Sequence, residues 1–289
     1  MSQSEDLYNG VNMNSKRSTE DMDVFQEMVL QYYADHRRSM PWRDDHSGYS
    51  VLVSEVMLQQ TQVNRVFIKY AEFMSAFPSV DSLAQASVED VLRVWKGLGY
   101  NRRALWLQKA AQSVRDDYDG VVPSVRDQLV ALPGIGPNTA GAILAYVYNQ
   151  PEVFIETNIR RVFLHHFFRD QQEVTDNQLL PYIAQALEGQ EPRTWYWALM
   201  DYGTYLGQTL ENPNRRSKHY SRQSAFEGSH RQVRGQLLER ALQSAFTVAD
   251  MMAEYPKLSG ETLDRAIEEL IAEGFLSRTG ETLTMKTND

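Results

Sequence analysis

The stretch from residue 132 to 163 constrains the fold more than any other, and it begins LPGIGPNTAGAILAY. Two apolar segments flank the turn 133–136, and Pro137 stands at the first position of the second segment, where a missing N–H costs nothing. This pattern predicts a helix-hairpin-helix. Its glycines let backbone N–H groups approach an outside group, and the dipole of the following helix favours an anion there. We therefore predict a grip on the DNA backbone whose contacts are Gly134, Gly136, Asn138 and Thr139.

The same stretch also presents a carboxylate at the start of a helix. Glu156 and Asn158 stand just before a helical pattern whose buried face is marked by Ile159, Val162 and Phe163. A carboxylate at this place interacts favourably with the helix dipole, so a plain helix cap is the structural alternative to a functional role.

Composition limits the classes of protein and of site. The chain is 42% hydrophobic, no apolar run approaches the roughly 18 residues of a membrane span, and the start MSQSEDLYNG has no signal pattern. These features predict a cytoplasmic protein that does not enter a membrane. Cysteine is absent and the six histidines have no ligand spacing, so we predict no metal and no cofactor.

The net charge of −9 is unevenly distributed. Residues 211–240 hold seven basic and three acidic side chains, a net +4 within an acidic chain. A basic segment of this kind fits DNA binding, although a solvated charged loop is an equal alternative. The candidate DNA contacts here are Arg215, Arg216 and Lys218.

Helical periodicity follows the chain almost without interruption from residue 21 to 210, and period-two strand patterns are missing there. We predict an all-α fold of two lobes with a small C-terminal winged-helix-like α/β unit, since the last 50 or so residues read as three helices and a hairpin. The predicted parts are a disordered tail (1–20), one helical lobe (21–50 plus 151–210), a six-helix-barrel-like lobe with the hairpin (51–150), a basic loop (211–235) and the winged-helix-like unit (236–289).

Further blocks accompany the hairpin, namely PWRDDHSGYSVLVSEVMLQQ at 41–60 and VWKGLGY at 94–100. Together, in this order and spacing, they resemble the helix-hairpin-helix (HhH-GPD) base-excision DNA glycosylases of the MutY and endonuclease III superfamily, and the MutY adenine glycosylases most. The resemblance covers about residues 40–207. It implies double-stranded DNA with a mismatched or damaged base as partner, and we expect a monomer.

The resemblance assigns the chemistry to two carboxylates. Cleavage of the bond between base and deoxyribose needs protonation of the leaving base and stabilisation of an oxocarbenium-like sugar. Glu55 matches the family's general acid, and its apolar helix favours the protonated form, against the alternative of an exposed surface carboxylate. Glu156 stands where the family carries an aspartate, a departure of one methylene, and Asn158 matches the family's supporting asparagine.

Other matching positions concern base flipping. Gln59, Gln60 and Tyr100 correspond to residues that wedge into the DNA stack, with a solvated helix end and a packed core tyrosine as the alternatives. Trp42 and Arg43 resemble the edge of the base pocket, although such pairs often only anchor turns.

Departures from the family limit the predicted activity. Members that also cut the strand use a lysine two residues after the second hairpin glycine, and here that position is Asn138, so we predict a monofunctional glycosylase without lyase activity. The four cysteines of the family's iron–sulfur cluster are missing, which implies a folded loop without metal after residue 207. We also expect the larger C-terminal domain with which MutY enzymes inspect 8-oxoguanine to be absent.

The sequence does not decide which base is the substrate. The family's adenine-reading Gln or Glu is replaced by Trp197, whose indole cannot make a bidentate contact. Adenine opposite guanine or 8-oxoguanine is the leading prediction, with thymine or uracil opposite guanine as its rival. A non-catalytic binder of DNA structures and a winged-helix regulator are the alternatives outside this enzyme class.

Overall fold

The computed structural model describes residues 19–221, 225–256 and 258–286. Residues 1–18 of the predicted tail and Arg222 of the basic segment lie outside this described part. The described residues are mainly helical with one small sheet, which confirms the predicted fold class. None of the helices in this part has the length and apolar character that a membrane crossing requires.

Contacts group the chain into two units. The first unit comprises residues 1–51, 124–130 and 135–222, and the second comprises 52–123, 131–134 and 223–289. The second helix of the hairpin thus groups with the first unit, and the C-terminal residues group with the second. The domain boundaries given above for the two lobes, the basic loop and the winged-helix-like unit remain predictions.

The first unit is built around an aromatic core. Phe25 packs edge-on against Phe163, Phe167 and Trp195, with ring centroids 4.9 to 6.0 Å apart. Its helices are α1 (Thr19–His36), α2 (Pro41–Asp44), the first residues of α3 (Gly48–Leu58), most of α8 (Arg126–Ala131), α9 (Pro137–Tyr148), α10 (Thr157–Phe167), α11 (Asp176–Leu187), α12 (Pro192–Thr209) and the 3₁₀ helix Pro213–Arg216.

The second unit continues α3 and adds further helices. Ser87 caps one of them, because its hydroxyl accepts the N–H of Asp90 at 3.0 Å. Trp95, at the end of that helix, is fully buried beside Phe73. The helices are α4 (Val63–Ala76), α5 (Val80–Gln85), α6 (Val88–Trp95) and α7 (Arg102–Asp117).

The C-terminal part of the second unit has winged-helix topology. Its elements are α13 (His230–Ala241), β1 (Phe246–Thr247), α14 (Val248–Glu254), α15 (Gly260–Ala272), β2 (Leu276–Thr279) and β3 (Thr282–Met285). The strands pair antiparallel in the order β1-β3-β2. The three predicted helices and the hairpin are present, and strand β1 was not predicted because two residues carry no alternation.

Helices α10 and α12 approach each other closely at Gly203. A Cβ atom added there would lie 2.5 Å from the carbonyl oxygen of Asn158, a distance that real Cβ atoms do not show. Arg161 closes the same contact, since its Nη1 donates to the carbonyl of Gly203 at 2.6 Å. Gly203 therefore sets the position of the α10 segment that carries Asn158.

Arg103 of α7 is buried and holds two pieces of backbone. Its Nη1 donates to the carbonyls of Val56, Met57 and Gln59 at 2.6 to 2.9 Å, where α3 ends with unpaired carbonyls. Its Nη2 donates to the carbonyls of Leu98 and Gly99 at 3.3 and 3.0 Å. Burial lowers the pKa of Arg103 to about 10, so it stays protonated at neutral pH.

We predict that Gly203→Ala lowers the free energy of unfolding by about 3 kcal/mol, because the new methyl group meets backbone that cannot rotate away. Denaturant unfolding measures this loss. Gly235→Ala is the matched control, since nothing lies within 4 Å of its added Cβ and it sits inside α13. It should stabilise the protein by about 0.5 to 1 kcal/mol. Equal tolerance of both alanines would contradict the close packing.

We predict that Arg103→Met lowers the free energy of unfolding by about 3 kcal/mol, because buried carbonyls at the end of α3 and in the turn 97–99 lose their donor. The neighbouring Arg102→Met is the control. The Arg102 side chain is 51% exposed and pairs with Glu273, so its loss should cost about 1 kcal/mol or less. Similar losses for the two variants in denaturant unfolding would refute the bridging role.

Candidate active site

Glu156 occupies the N-cap position of α10 with an extended backbone. Its side chain makes no N-cap hydrogen bond, although the backbone N–H of Thr157, the first residue of the helix, acts on the carboxylate. The carboxylate is half-buried, at the positive end of the helix dipole. It is placed to act on a group outside its own helix.

Burial raises the pKa of the Glu156 carboxyl, while the charge of Arg160 and the backbone N–H of Thr157 act in the opposite direction. Arg160 is itself held by Asp176 through two hydrogen bonds of 2.8 Å. A poorly hydrated carboxylate gains more from a nearby developing cation than a solvated one does. This environment suits stabilisation of a sugar cation.

The backbone around Glu156 is fixed by polar contacts from other elements. The N–H of Ile155 donates to Oδ1 of Asn138 at 3.3 Å, and Nδ2 of Asn214 donates to the carbonyl of Thr157 at 3.1 Å. Oδ1 of Asn158 accepts a hydrogen bond from Arg161. The segment 155–158 is thus held on both sides, and Asn158, a predicted supporting residue, takes part through Arg161.

Glu55 lies on α3 and is half-buried between fully or nearly fully buried neighbours, Ser54, Val56 and Met57. The end of its helix is the one that Arg103 holds. Glu55 and Glu156 belong to different units, and their convergence on one nucleotide stays a prediction.

Two of the predicted wedge residues have left-handed backbone although neither is glycine. Gln60 has φ +53° and is exposed, and Tyr100 has φ +47° and is half-buried. Such conformations cost free energy and cluster at ligand-binding sites. Gln59 instead turns towards the hairpin, where its Nε2 donates to the carbonyl of Gly134 at 3.2 Å. Their insertion into DNA stays a prediction.

Of the two hairpin glycines that the sequence indicated, Gly134 is required by the fold. Gly134 has φ +79°, and an added Cβ would lie 2.8 Å from the Cβ of Trp106. Gly136 caps α9, and nothing lies within 4 Å of the Cβ position there, so its backbone is open to a ligand. Asn138 is exposed in the first turn, whereas Thr139 is buried.

The predicted pocket residues are joined by an ion pair that the sequence did not reveal. Arg43 is buried, and its two terminal nitrogens donate to the two carboxylate oxygens of Asp201 at 2.8 Å each. Burial acts to raise the pKa of Asp201, but the hydrogen bond and charge of Arg43, with help from Arg38, hold it below its ordinary value. The guanidinium of Arg43 therefore has a structural role, as the partner of Asp201.

Trp197 lies in an aromatic stack next to this ion pair. Its ring is nearly parallel to Tyr146 at 5.9 Å and tilted against His46 at 5.3 Å. The guanidinium carbon of Arg43 lies 5.6 Å from the Trp197 ring centre. Trp42 and Trp197 are both buried. Tyr146 and His46 were not predicted as site residues, because no periodicity or spacing marks them.

In the described part of the basic segment, the cations face different surroundings. Arg215 pairs with Glu211 on the exposed surface, and Lys218 is exposed. Arg216 donates inward to the carbonyls of Arg169 and Leu164 at 3.0 and 3.1 Å. Arg215 and Lys218 remain available as DNA contacts, while Arg216 stabilises the segment itself.

The iron–sulfur cluster that the resemblance implies after residue 207 does not fit this chain. Cysteine is absent from the sequence, so thiolate ligands do not exist. Within residues 19–221, 225–256 and 258–286, no group of three or more His, Asp or Glu side chains is arranged to hold a metal ion. The 3₁₀ helix Pro213–Arg216 occupies this region.

Comparison with known proteins gives related sequences over most of the chain. Residues 53–183 match the model of the HhH-GPD superfamily base excision DNA repair proteins. The adenine DNA glycosylase of Mycobacterium tuberculosis is 32% identical over 283 residues, which cover 87% of this chain and 90% of that protein. The adenine DNA glycosylase of Buchnera aphidicola is 36% identical over 145 residues, but these cover only 41% of its length.

The fold is also found among solved structures. A thermostable thymine-DNA glycosylase superposes with a TM-score of 0.60 at 23% identity, covering 66% of this chain and 90% of that one. The identity is low, so this likeness concerns the fold alone. Taken with the mycobacterial relative and the matched hairpin region, these findings show that the chain belongs to the HhH-GPD superfamily of base excision DNA repair proteins.

Proposed function

We propose that the protein is a monofunctional DNA glycosylase that flips a mismatched base out of double-stranded DNA and hydrolyses its N-glycosidic bond. The observation that carries this proposal is Glu156, a carboxylate that stands uncapped at a helix start, has a raised pKa and is surrounded by fixed backbone. Relatives of similar length are named adenine DNA glycosylases, which supports adenine as the base.

In the proposed reaction Glu55 gives a proton to the leaving base as the C1′–N bond breaks. The sugar passes through an oxocarbenium-like state, which the carboxylate of Glu156 stabilises. Water adds at C1′ and loses its proton to a carboxylate, so the products are the free base and an abasic site. Asn138 offers no amine for a Schiff base, so the strand is left intact.

Adenine opposite guanine or 8-oxoguanine is the proposed substrate, and thymine or uracil opposite guanine is the second candidate. Trp197 favours the second one, because its buried, stacked indole offers no bidentate contact to an adenine edge. The test therefore includes both classes of mismatch.

A winged-helix regulator is disfavoured by charge. In a winged helix the third helix is the one that reads DNA, and here α15 carries four acidic side chains and one arginine. DNA recognition depends on neutralising phosphates, which an acidic helix cannot do. A non-catalytic binder is disfavoured by the uncapped Glu156, since a protein that only holds DNA gains nothing from a desolvated carboxylate at that place.

Base release is tested in single-turnover reactions with duplexes carrying A·8-oxoG, A·G, T·G and U·G, followed by hot alkali. We expect an alkali-labile abasic site from the adenine duplexes, and a rate about 10² to 10⁴ lower for Glu55→Gln and for Glu156→Gln. Glu211→Gln, which alters an 81% exposed carboxylate, is the matched control and should keep the full rate. Tight binding without base release from any duplex would support the binder, and adducts trapped by borohydride would refute the monofunctional mechanism.

We predict that Glu156→Gln raises the thermal midpoint of unfolding at pH 7. Burial raises the pKa of the folded-state carboxyl, so ionised Glu156 destabilises the fold above that pKa. The gain should shrink as the pH falls through the folded-state pKa, and vanish below the ordinary glutamate value of 4.5. Calorimetry across this range measures the change, with Glu211→Gln, which alters an exposed carboxylate, as the control. An unchanged or lower midpoint at pH 7 would contradict the strained carboxylate.

A further inference from the structure

Tyr100 lies between two arginines. The guanidinium carbon of Arg103 is 5.6 Å from the centre of its ring, and that of Arg231 is 5.4 Å from it. Nη1 of Arg231 also donates a hydrogen bond of 2.8 Å to the Tyr100 hydroxyl. The ring is thus fixed both at its face and at its tip.

The two arginines come from different places in the second unit. Arg103 is buried beneath the turn 97–99, whereas Arg231 is half-buried in the first turn of α13, the helix that opens the winged-helix part. Helix α13 is itself held against this region. Lys96 pairs with Glu239 of α13, and Arg93 donates to the carbonyl of Leu242 just after it.

A second ion-pair network anchors the same helix. Arg234, one turn after Arg231, donates to Glu269 and Glu273 at 3.1 and 2.6 Å, and Arg102 beside the Tyr100 turn also pairs with Glu273. The carboxylate of Glu273 therefore connects α13 with the start of α7. These contacts fix the base from which Arg231 reaches Tyr100.

We propose that Arg231 is a positioning residue for Tyr100. Through Arg231, the winged-helix part holds the Tyr100 ring in the orientation needed for insertion into DNA. This inference rests on the proposed function, in which Tyr100 enters the base stack. A tyrosine free to rotate loses rotamer freedom when it inserts, and a ring already fixed does not. The hydroxyl hydrogen bond selects one orientation of the ring, and the planar guanidinium lies over its face.

The proposal differs from two simpler roles of the same arginine. As a plain phosphate contact, Arg231 would contribute through its charge alone, whatever the Tyr100 hydroxyl does. As a restraint that holds the ring away from DNA, its removal would make insertion easier. Each role gives its own pattern in a double-mutant cycle.

The cycle uses Arg231→Met, Tyr100→Phe and the double variant. The readouts are affinity for an A·G duplex and the fluorescence of 2-aminopurine next to the target base, which reports unstacking. We expect each single variant to bind about 3- to 10-fold more weakly and to show less unstacking. The double variant should bind no more weakly than the single variant that has the lower affinity. If Arg231→Met costs as much in the Tyr100→Phe background as in the wild type, the effects are additive and the proposal is overturned. Increased unstacking in Arg231→Met would overturn it as well.

Two further variants make the result decisive. Arg278→Met removes a cation that pairs with Glu268 in the same unit, and it should keep full affinity. Arg231→Lys keeps the charge but has no planar fork, so we expect it to lose affinity as Arg231→Met does, and it replaces that variant should the latter not fold. Full affinity in Arg231→Lys would overturn the proposal. Because both readouts are independent of base release, an inactive wild type would refute the proposed function and still leave Arg231 testable.

Discussion

The buried guanidinium of Arg103 is the interaction on which the second unit depends. Its acceptors are five backbone carbonyls and the hydroxyl of Thr61, and they belong to the end of α3 and to the turn 97–99. Neutral acceptors compensate a buried charge less fully than a carboxylate does, which agrees with the lowered pKa of Arg103. A lysine has no fork that could reach both pieces of backbone. One side chain therefore aligns the helix of Glu55 with the turn of Tyr100.

The first unit is held by comparable contacts between side chains and backbone. Where the family resemblance implies a cluster, Arg216 binds the carbonyl of Leu164 in the last turn of α10 and that of Arg169 just after the helix. Asn214 binds the carbonyl at the start of α10. Arg161 connects α10 with α12 at Gly203. Each of these contacts joins a backbone carbonyl to a side chain from another element. The position of Glu156 thus rests on side-chain to backbone hydrogen bonds, which an extra Cβ or a lost donor would disturb.

Local patterns predicted the local parts of this structure. The glycine turn of the hairpin and the order of the C-terminal helices depend on neighbours in sequence, and both are present. Contacts between residues far apart in the sequence could not be predicted from local patterns. Asp201 lies 158 residues from Arg43, and no periodicity connects the two. Charge counting likewise marked residues 211–240 as basic, but it could not tell that Arg216 faces backbone carbonyls while Lys218 faces solvent.

The glutamate at position 156 can be understood from the geometry of a helix start. The shorter aspartate that the family carries is among the best N-cap residues, because its oxygen reaches the N–H groups of the first turn. The longer glutamate makes no such bond here, so α10 forgoes a cap that stabilises helices by about 1 kcal/mol. Burial also raises the pKa of the Glu156 carboxyl. A missing cap and a raised pKa at one residue are typical of a group kept for its chemistry, and a cationic sugar beside the carboxylate would relieve the second of these costs.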